Sequence, residues 1–152
     1  MPSEYRKALT DAYTNLGLQA GGSPPPTAGE PRVTWWQNEE RQTGQINIAR
    51  WDGERFARGL REMLASHVDV VFADVDLTVT EDVDAVVAQL NRRGFFYVGL
   101  RPCAIGGHDT LCLQRLNSRD IELERIVCDS QFARKLLAYV REDRERVEQI
   151  VA

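Results

Sequence analysis

The sequence has no apolar run long enough to cross a bilayer. A transmembrane helix needs about 20 consecutive apolar residues, and polar or charged residues interrupt every apolar stretch of this 152-residue chain. The first residues, MPSEYRKALT, carry charges where a secretory signal peptide has its apolar core. We therefore expect a soluble protein located in the cytoplasm.

Cysteine and histidine are both scarce. The chain has two histidines and three cysteines, Cys103, Cys112 and Cys128, and none of the cysteines is in C-x-x-C spacing. An odd number of scattered cysteines fits neither a disulfide framework nor a zinc site. We therefore expect reduced thiols and no bound metal.

An excess of positive charge is also missing. The 19 basic residues are outnumbered by 23 acidic ones, which gives a net charge of −4 and a pI near 5.2. Such a chain is not drawn electrostatically to nucleic acid or to an anionic membrane. The 43% of hydrophobic and 28% of charged residues are ordinary for one soluble globular domain.

Glycine and proline divide the chain into three parts. Residues 1–18 contain apolar residues at helical spacing between Ser3, a candidate N-cap, and Gly17, a candidate helix stop. Residues 19–31 contain three consecutive prolines and several glycines, which predicts a linker without regular structure. Residues 32–152 then form the main domain.

The first half of this domain predicts two strands, a helix and a third strand. RVTWWQ and TGQINIARW are separated by a polar turn, which indicates an antiparallel pair. GERFARGLREMLASH has helical periodicity, and VDVVFADVDL is apolar on both alternating faces, which is typical of an interior strand. A strand–helix–strand run implies a parallel, right-handed crossover.

The second half predicts a helix, a hairpin and a last helix. TEDVDAVVAQLNRR repeats valine and leucine at i, i+3, i+4 and i+7, with Thr80 as the expected cap and Gly94 as the stop. Strands 95–100 and 110–116 should pair across the loop RPCAIGGHD. IELERIVC is a candidate short strand, and Ser130 should cap a closing helix. The fold class is therefore α/β, a mixed central sheet flanked by helices, with an extra N-terminal and a C-terminal helix.

One stretch resembles a known family. VFADVDLTVTEDVDAVVAQLNRRGFFYVGL, followed by HDTLCLQRL, is similar to the C-terminal half of the GNAT superfamily of N-acetyltransferases, which has a strand, a helix closing on a Gly-Phe step and an antiparallel hairpin. It looks most like the GNAT-like domain of some bacterial multidomain acyltransferases and ATPase-type regulators. The resemblance implies a GNAT-like sheet, with acetyl-CoA or another acyl-CoA as the ligand to be tested.

The family's cofactor loop would fall on residues 46–59. GNAT enzymes hold the pyrophosphate of acetyl-CoA at a helix N-terminus, on backbone N–H groups of a loop rich in arginine and glycine. The resemblance places Gly53 there, with Arg50, Arg55 and Arg58 as further cofactor-binding candidates. The usual glycine pattern is missing, and two carboxylates beside Gly53 would repel a pyrophosphate, so we expect no resident cofactor.

The catalytic positions implied by the family hold unsuitable residues. Leu90 stands four residues before Gly94, where many members have a proton-donating tyrosine. Asp74 and Asp76 end the interior strand, and the simplest interpretation is that they reach solvent. Cys103, His108 and Asp109 supply the residue types of a nucleophile and its base, but within one glycine-rich loop. The catalytic residues therefore stay unassigned.

Trp35 and Trp36 are adjacent on a candidate strand, so one must face away from the core. An exposed tryptophan suggests an interface with a protein partner or a second copy of the chain. Three hypotheses follow. The first is a GNAT-like binding, regulatory or oligomerisation module that has lost catalysis, and the alternative is an acyl-CoA-dependent N-acyltransferase with a divergent pyrophosphate loop. A purely structural domain of a larger complex is the third.

Overall fold

The computed structural model describes residues 1–19, 32–105, 107–118 and 120–152, so most of the predicted linker 19–31 lies outside the described residues. The chain forms four helices and five strands in these ranges, which confirms the α/β class. None of the described helices is long and apolar enough to span a membrane. In chain order the elements are α1 (Arg6–Asn15), β1 (Arg32–Asn38), β2 (Thr43–Arg50), α2 (Gly53–Ala65), β3 (Val70–Asp76), α3 (Val83–Asn91), β4 (Phe96–Ile105), β5 (His108–Leu116) and α4 (Gln131–Val151).

The five strands form one mixed sheet in the order β1-β2-β3-β5-β4. β1 pairs antiparallel with β2, and β2 pairs parallel with β3, as the strand–helix–strand pattern predicts. β5 lies between β3 and β4 and is antiparallel to both. The last strand of the chain is therefore an interior strand, and β4 is an edge.

Side-chain alternation gives the sheet two different faces. We call the face toward α2 the inner face; Ile46, Ile48, Val71, Ala73 and Val75 lie on it and are buried. The other face, the outer face, carries mostly polar side chains in register across the strands: Thr34, Trp36, Gln45, Asn47, Phe72, Asp74, Asp76, Thr110 and Cys112.

Two glycines bring α2 against the inner face. A Cβ on Gly44 would lie 2.5 Å from Sδ of Met63, and one on Gly59 would lie 2.6 Å from the Trp35 ring. Both distances are far below van der Waals contact, so a larger residue at either position would force the side chain of Met63 or Trp35 to move. Phe56 then contacts Trp51 and Phe95, with ring centroids 5.1 and 5.8 Å apart, and closes the core between α2 and the start of β4.

The junction from α3 to β4 is as tight as the sequence predicts. Gly94 has φ +83°, a left-handed conformation that glycine adopts without a Cβ penalty, and its N–H bonds the carbonyl of Asn91. Phe95 and Tyr97 are buried, and Phe96 is buried on the opposite side. The aromatic run is therefore part of the core.

Four local predictions are wrong. The segment RPCAIGGHD is mostly strand, since β4 and β5 extend to the pair Ile105 and His108. IELERIVC contains a short 3₁₀ helix, Leu123–Arg125, and no strand. Thr80 does not cap α3, because Asp82 does so by accepting the N–H of Ala85. Ser3 does not cap α1; its N–H and hydroxyl both donate to Asp84 on α3.

A buried carboxylate on α4 joins four elements. Asp143 accepts the backbone N–H of Tyr97 at 2.6 Å and the hydroxyl of Tyr5 at 3.0 Å. Arg146 binds its other oxygen at 2.7 Å, and Arg146 and the Tyr5 hydroxyl both contact the amide of Asn91 at the end of α3. Burial raises the pKa of Tyr5 above its ordinary value, aided by the nearby carboxylate of Asp143, so the phenol stays a donor.

Replacing this carboxylate should weaken the fold as a whole. We expect Asp143→Ala to lower the free energy of unfolding by about 3 kcal/mol, because it leaves Arg146 and the Tyr97 N–H without their acceptor. Urea unfolding followed by circular dichroism measures the change. Glu145→Ala, at an exposed position of the same helix, is the control and should change stability by less than about 0.5 kcal/mol. Equal losses in the two variants would contradict a structural role for Asp143.

Candidate functional site

The N-terminus of α2, where the family resemblance puts a pyrophosphate, already has an anionic partner. Asp52 is the N-cap, and its Oδ1 accepts the N–H groups of Glu54 and Arg55, both at 3.0 Å. These are two of the amides that the first turn of a helix leaves without an intrahelical acceptor, and they are among the groups that an incoming phosphate would use. The chain's own carboxylate therefore occupies the anion position.

The three candidate arginines do not converge on Gly53. Arg55 donates from Nε to the carbonyl of Val33 at 3.3 Å and lies over the ring of Trp35. Arg58 pairs with Glu62 at 3.1 Å, one helical turn further along α2. Arg50 lies 3.7 Å from the carboxylate of Glu81. Each guanidinium thus has a contact with the protein itself.

The two parallel strands beside this loop stay paired. β2 and β3 are in register from Thr43 and Val70 as far as Ile48 and Val75. Just beyond that point the buried hydroxyl of Thr80 lies 3.1 Å from the carbonyl of Ala49 and 3.4 Å from that of Ile48, and its one proton is shared between them. The side chain of Thr80 therefore holds the carboxyl end of β2 to the segment that follows β3.

Neither of the residues near the proton-donor position can supply a proton readily. Leu90 is fully buried and apolar, as predicted. Tyr97 packs against the ring of Tyr5 at 5.3 Å, under α1, and burial raises the pKa of Tyr97 to about 12. Its hydroxyl has no hydrogen-bond partner among the described residues.

The prediction that Asp74 and Asp76 reach solvent is wrong. They are 3% and 4% exposed, because side chains from β4 and β5 cover them. Arg101 forms a salt bridge with Asp74, and Nδ1 of His108 lies 2.9 Å from Oδ2 of Asp76. A buried carboxylate needs such partners, but they come from residues more than 25 positions away, so the interior-strand pattern alone could not reveal them.

The residues of the glycine-rich segment do not assemble as a nucleophile and its base. Asp109 faces away from His108 along the strand; it accepts the N–H of Cys103 at 3.1 Å and the hydroxyl of Tyr13. His108 points to Asp76 instead. Cys103 is exposed, with φ +52°. The pairing that the structure does form, Asp76 with His108, was missed by sequence reasoning, and the apolar–Asp–apolar–Asp ending of β3 was its only signal.

The outer face contains an open groove of about 400 Å³ beside this polar row. Gln45, Phe72, Leu100 and Cys112 line it, with the Asp74–Arg101 salt bridge at one side. Burial raises the pKa of the Cys112 thiol, and Nε of Arg101 donates to its sulfur at 3.2 Å. The arrangement offers an apolar floor with a few fixed polar groups, which is the usual composition of a ligand site.

The adjacent residues Trp35 and Trp36 lie on opposite faces of the sheet, as the alternation of side chains along a strand requires. Trp35 packs on α2 and donates from Nε1 to Glu62 at 2.8 Å. Trp36 is 53% exposed on the outer face at the edge strand β1. Of the two predicted interface residues, only Trp36 therefore offers its ring to a partner, and its role in an interface stays a prediction.

Comparison with known proteins adds no assignment. No protein-family model matches the chain, and no curated protein matches it. Within the described residues, no group of three or more histidine, cysteine, aspartate and glutamate side chains could hold a metal ion. The functional argument therefore depends on the geometry of the α2 N-terminus and of the outer face.

The contribution of the Thr80 hydroxyl to stability can be tested by substitution. We expect Thr80→Val to lower the free energy of unfolding by about 1 to 2 kcal/mol. Valine has nearly the same shape as threonine but no hydroxyl, so the carbonyls at the end of β2 lose their buried donor. Thr78→Val is the matched control: it lies two residues away, and its hydroxyl makes no hydrogen bond to a described residue. Urea denaturation of both variants measures the difference, and equal stability of the two would show that the Thr80 hydroxyl does not hold the strand end.

Proposed function

We propose that this chain is a GNAT-like domain that binds a ligand or partner and does not carry out conventional acetyl transfer. The scaffold supports the family resemblance, since a strand, a helix ending at Gly94 and an antiparallel hairpin follow one another. The observation that carries the loss of catalysis is the cap of α2, where Asp52 accepts the N–H groups of Glu54 and Arg55. An acyl-CoA would have to displace this carboxylate.

Electrostatics strengthen this argument. A pyrophosphate brought to Gly53 would meet the charge of Asp52 at the helix end and that of Glu54 in the first turn. Displacing the cap would also forfeit about 1 kcal/mol of helix stability. Arg55 and Arg58, which could offset the repulsion, would have to leave Val33 and Glu62.

The binding function is assigned to the outer face. Its groove has an apolar floor, and the fixed Asp74–Arg101 salt bridge stands at one side. Trp36 continues this face to the edge of the sheet as an exposed aromatic ring, the residue type most often found at the energetic centre of an interface.

Acyl-CoA binding is the decisive test between this module and an acyltransferase. We expect no change in the thermal unfolding midpoint with acetyl-CoA or longer acyl-CoAs, because a chain that does not bind a ligand gains no stability from it. Asp52→Gly serves as the comparison, since it frees the amides of α2 and should allow weak CoA stabilisation. Saturable stabilisation of the unaltered chain, lost in Arg55→Ala and Arg58→Ala, would favour the acyltransferase alternative.

The role of Trp36 has a separate test. We expect the chain to self-associate in sedimentation velocity at high concentration and Trp36→Ser to sediment as a monomer, because the substitution removes the exposed ring. Asn38→Ser, on the same face of the same strand, should leave association unchanged. A monomer at every concentration, or association that survives Trp36→Ser, would rule out a dimer through this residue.

A further inference from the structure

A second cavity, of about 330 Å³, lies at the carboxyl ends of β2 and β3, next to the groove of the outer face. Five of the residues that line it have polar side chains: Arg32 and Thr34 of β1, Asn47 of β2, Asp76 of β3 and His108 of β5. The ends of parallel strands in an open sheet are a common place for a ligand. Its volume is at the small end of the range for ligand pockets.

The Asp76–His108 pair is fixed with a defined orientation. Oδ1 of Asp76 accepts the N–H groups of Thr78 and Val79, at 2.8 and 3.2 Å, so the carboxylate cannot rotate freely. Its Oδ2 lies 2.9 Å from Nδ1 of His108. Because a carboxylate only accepts, Nδ1 carries the hydrogen, and in the neutral ring Nε2 keeps its lone pair.

His108 is poised to use that lone pair. Its side chain is 37% exposed, while that of Asp76 is 6% exposed. The aspartate is therefore buried, and the histidine ring is accessible to a ligand. Nε2 makes no hydrogen bond to any residue that the structure describes. A histidine held on a carboxylate with its second nitrogen open is an oriented acceptor for a hydroxyl proton.

The other residues that line the cavity limit the chemical class of ligand that it can bind. Arg32 brings a guanidinium, which pairs best with a carboxylate. Nε2 of Gln45 donates to Oδ1 of Asn47 at 3.4 Å, whereas the NH₂ group of Asn47 makes no hydrogen bond to a described residue and can donate to a ligand. A hydroxyl can donate to Nε2 and accept from Asn47 or Thr34, whereas an ammonium group can only donate and would stand near the charge of Arg32.

We propose that this cavity binds a small hydroxycarboxylate, with its carboxylate on Arg32 and its hydroxyl on Nε2 of His108. The inference rests on the proposed function, because it names the class of molecule that the outer face would take. No bond is made or broken in this proposal. The dyad orients the hydroxyl by accepting its hydrogen bond.

The test is a titration of the ¹⁵N-labelled chain followed by amide chemical shifts. We expect glycolate to give saturable shifts at Thr34, Asn47 and His108, and acetate and glycine to bind about fivefold more weakly, since each lacks one favourable contact worth about 1 kcal/mol. Acetyl-CoA is titrated in parallel. Binding of acetyl-CoA at α2 would overturn the proposed function, whereas loss of the glycolate response alone would overturn only this inference.

Two substitutions test whether glycolate binds at this cavity. His108→Phe keeps the ring and removes the acceptor, and Arg32→Gln removes the cation at an exposed position where folding is not at risk; each should weaken glycolate binding about fivefold. Arg41→Gln, in the exposed turn after β1, is the control and should not change it. If His108→Phe fails to fold, Arg32→Gln still decides. Absence of saturable shifts, equal affinity for acetate and glycolate, or full binding by Arg32→Gln would refute the site.

Discussion

The structure depends on one buried carboxylate, that of Asp143. A charge at this depth is unfavourable unless every oxygen has a donor, and the donors come from α1, β4 and α4, with α3 joined through Asn91. The N-terminal helix is therefore part of the domain and not an appendage. The order of the sheet requires this support, because β4 is an edge strand and α4 supplies an acceptor to its outward N–H group.

The same rule, that a buried charge must be neutralised, explains the outer face. Asp74 and Asp76 end an otherwise apolar strand, and Arg101 and His108 reach over them from the hairpin. The end of β3 therefore carries two carboxylates that need partners, at positions where valine would pack without any. At the neighbouring helix end, Asp52 turns a general anion-binding position into a closed cap. The N-terminus of α2 is thus closed by its own cap, whereas the groove on the outer face is open.

Sequence patterns predicted the fold well where the information is local. The valine and leucine repeat before Gly94 identified α3, and the strand–helix–strand run identified the parallel pair. Several of the failures involve partners that are distant in sequence. Asp74 was placed in solvent because its partner Arg101 is distant in sequence, and Thr80 was taken for a helix cap because its contact with Ala49 is invisible to periodicity. Glycines around residue 106 suggested a loop, although the strands continue almost to them.

The contact between Trp35 and Gly59 has a consequence for the edge strand. Side chains alternate along β1, so a slip of one residue would bring Trp36 inward and expel Trp35. The space above Gly59 fits the indole of Trp35 with no room to spare, and the displaced ring would also lose its bond to Glu62. The indole of Trp35 thus fixes the register of β1 in the sheet. An edge strand with a fixed register resists the misaligned pairing through which exposed strands begin to aggregate.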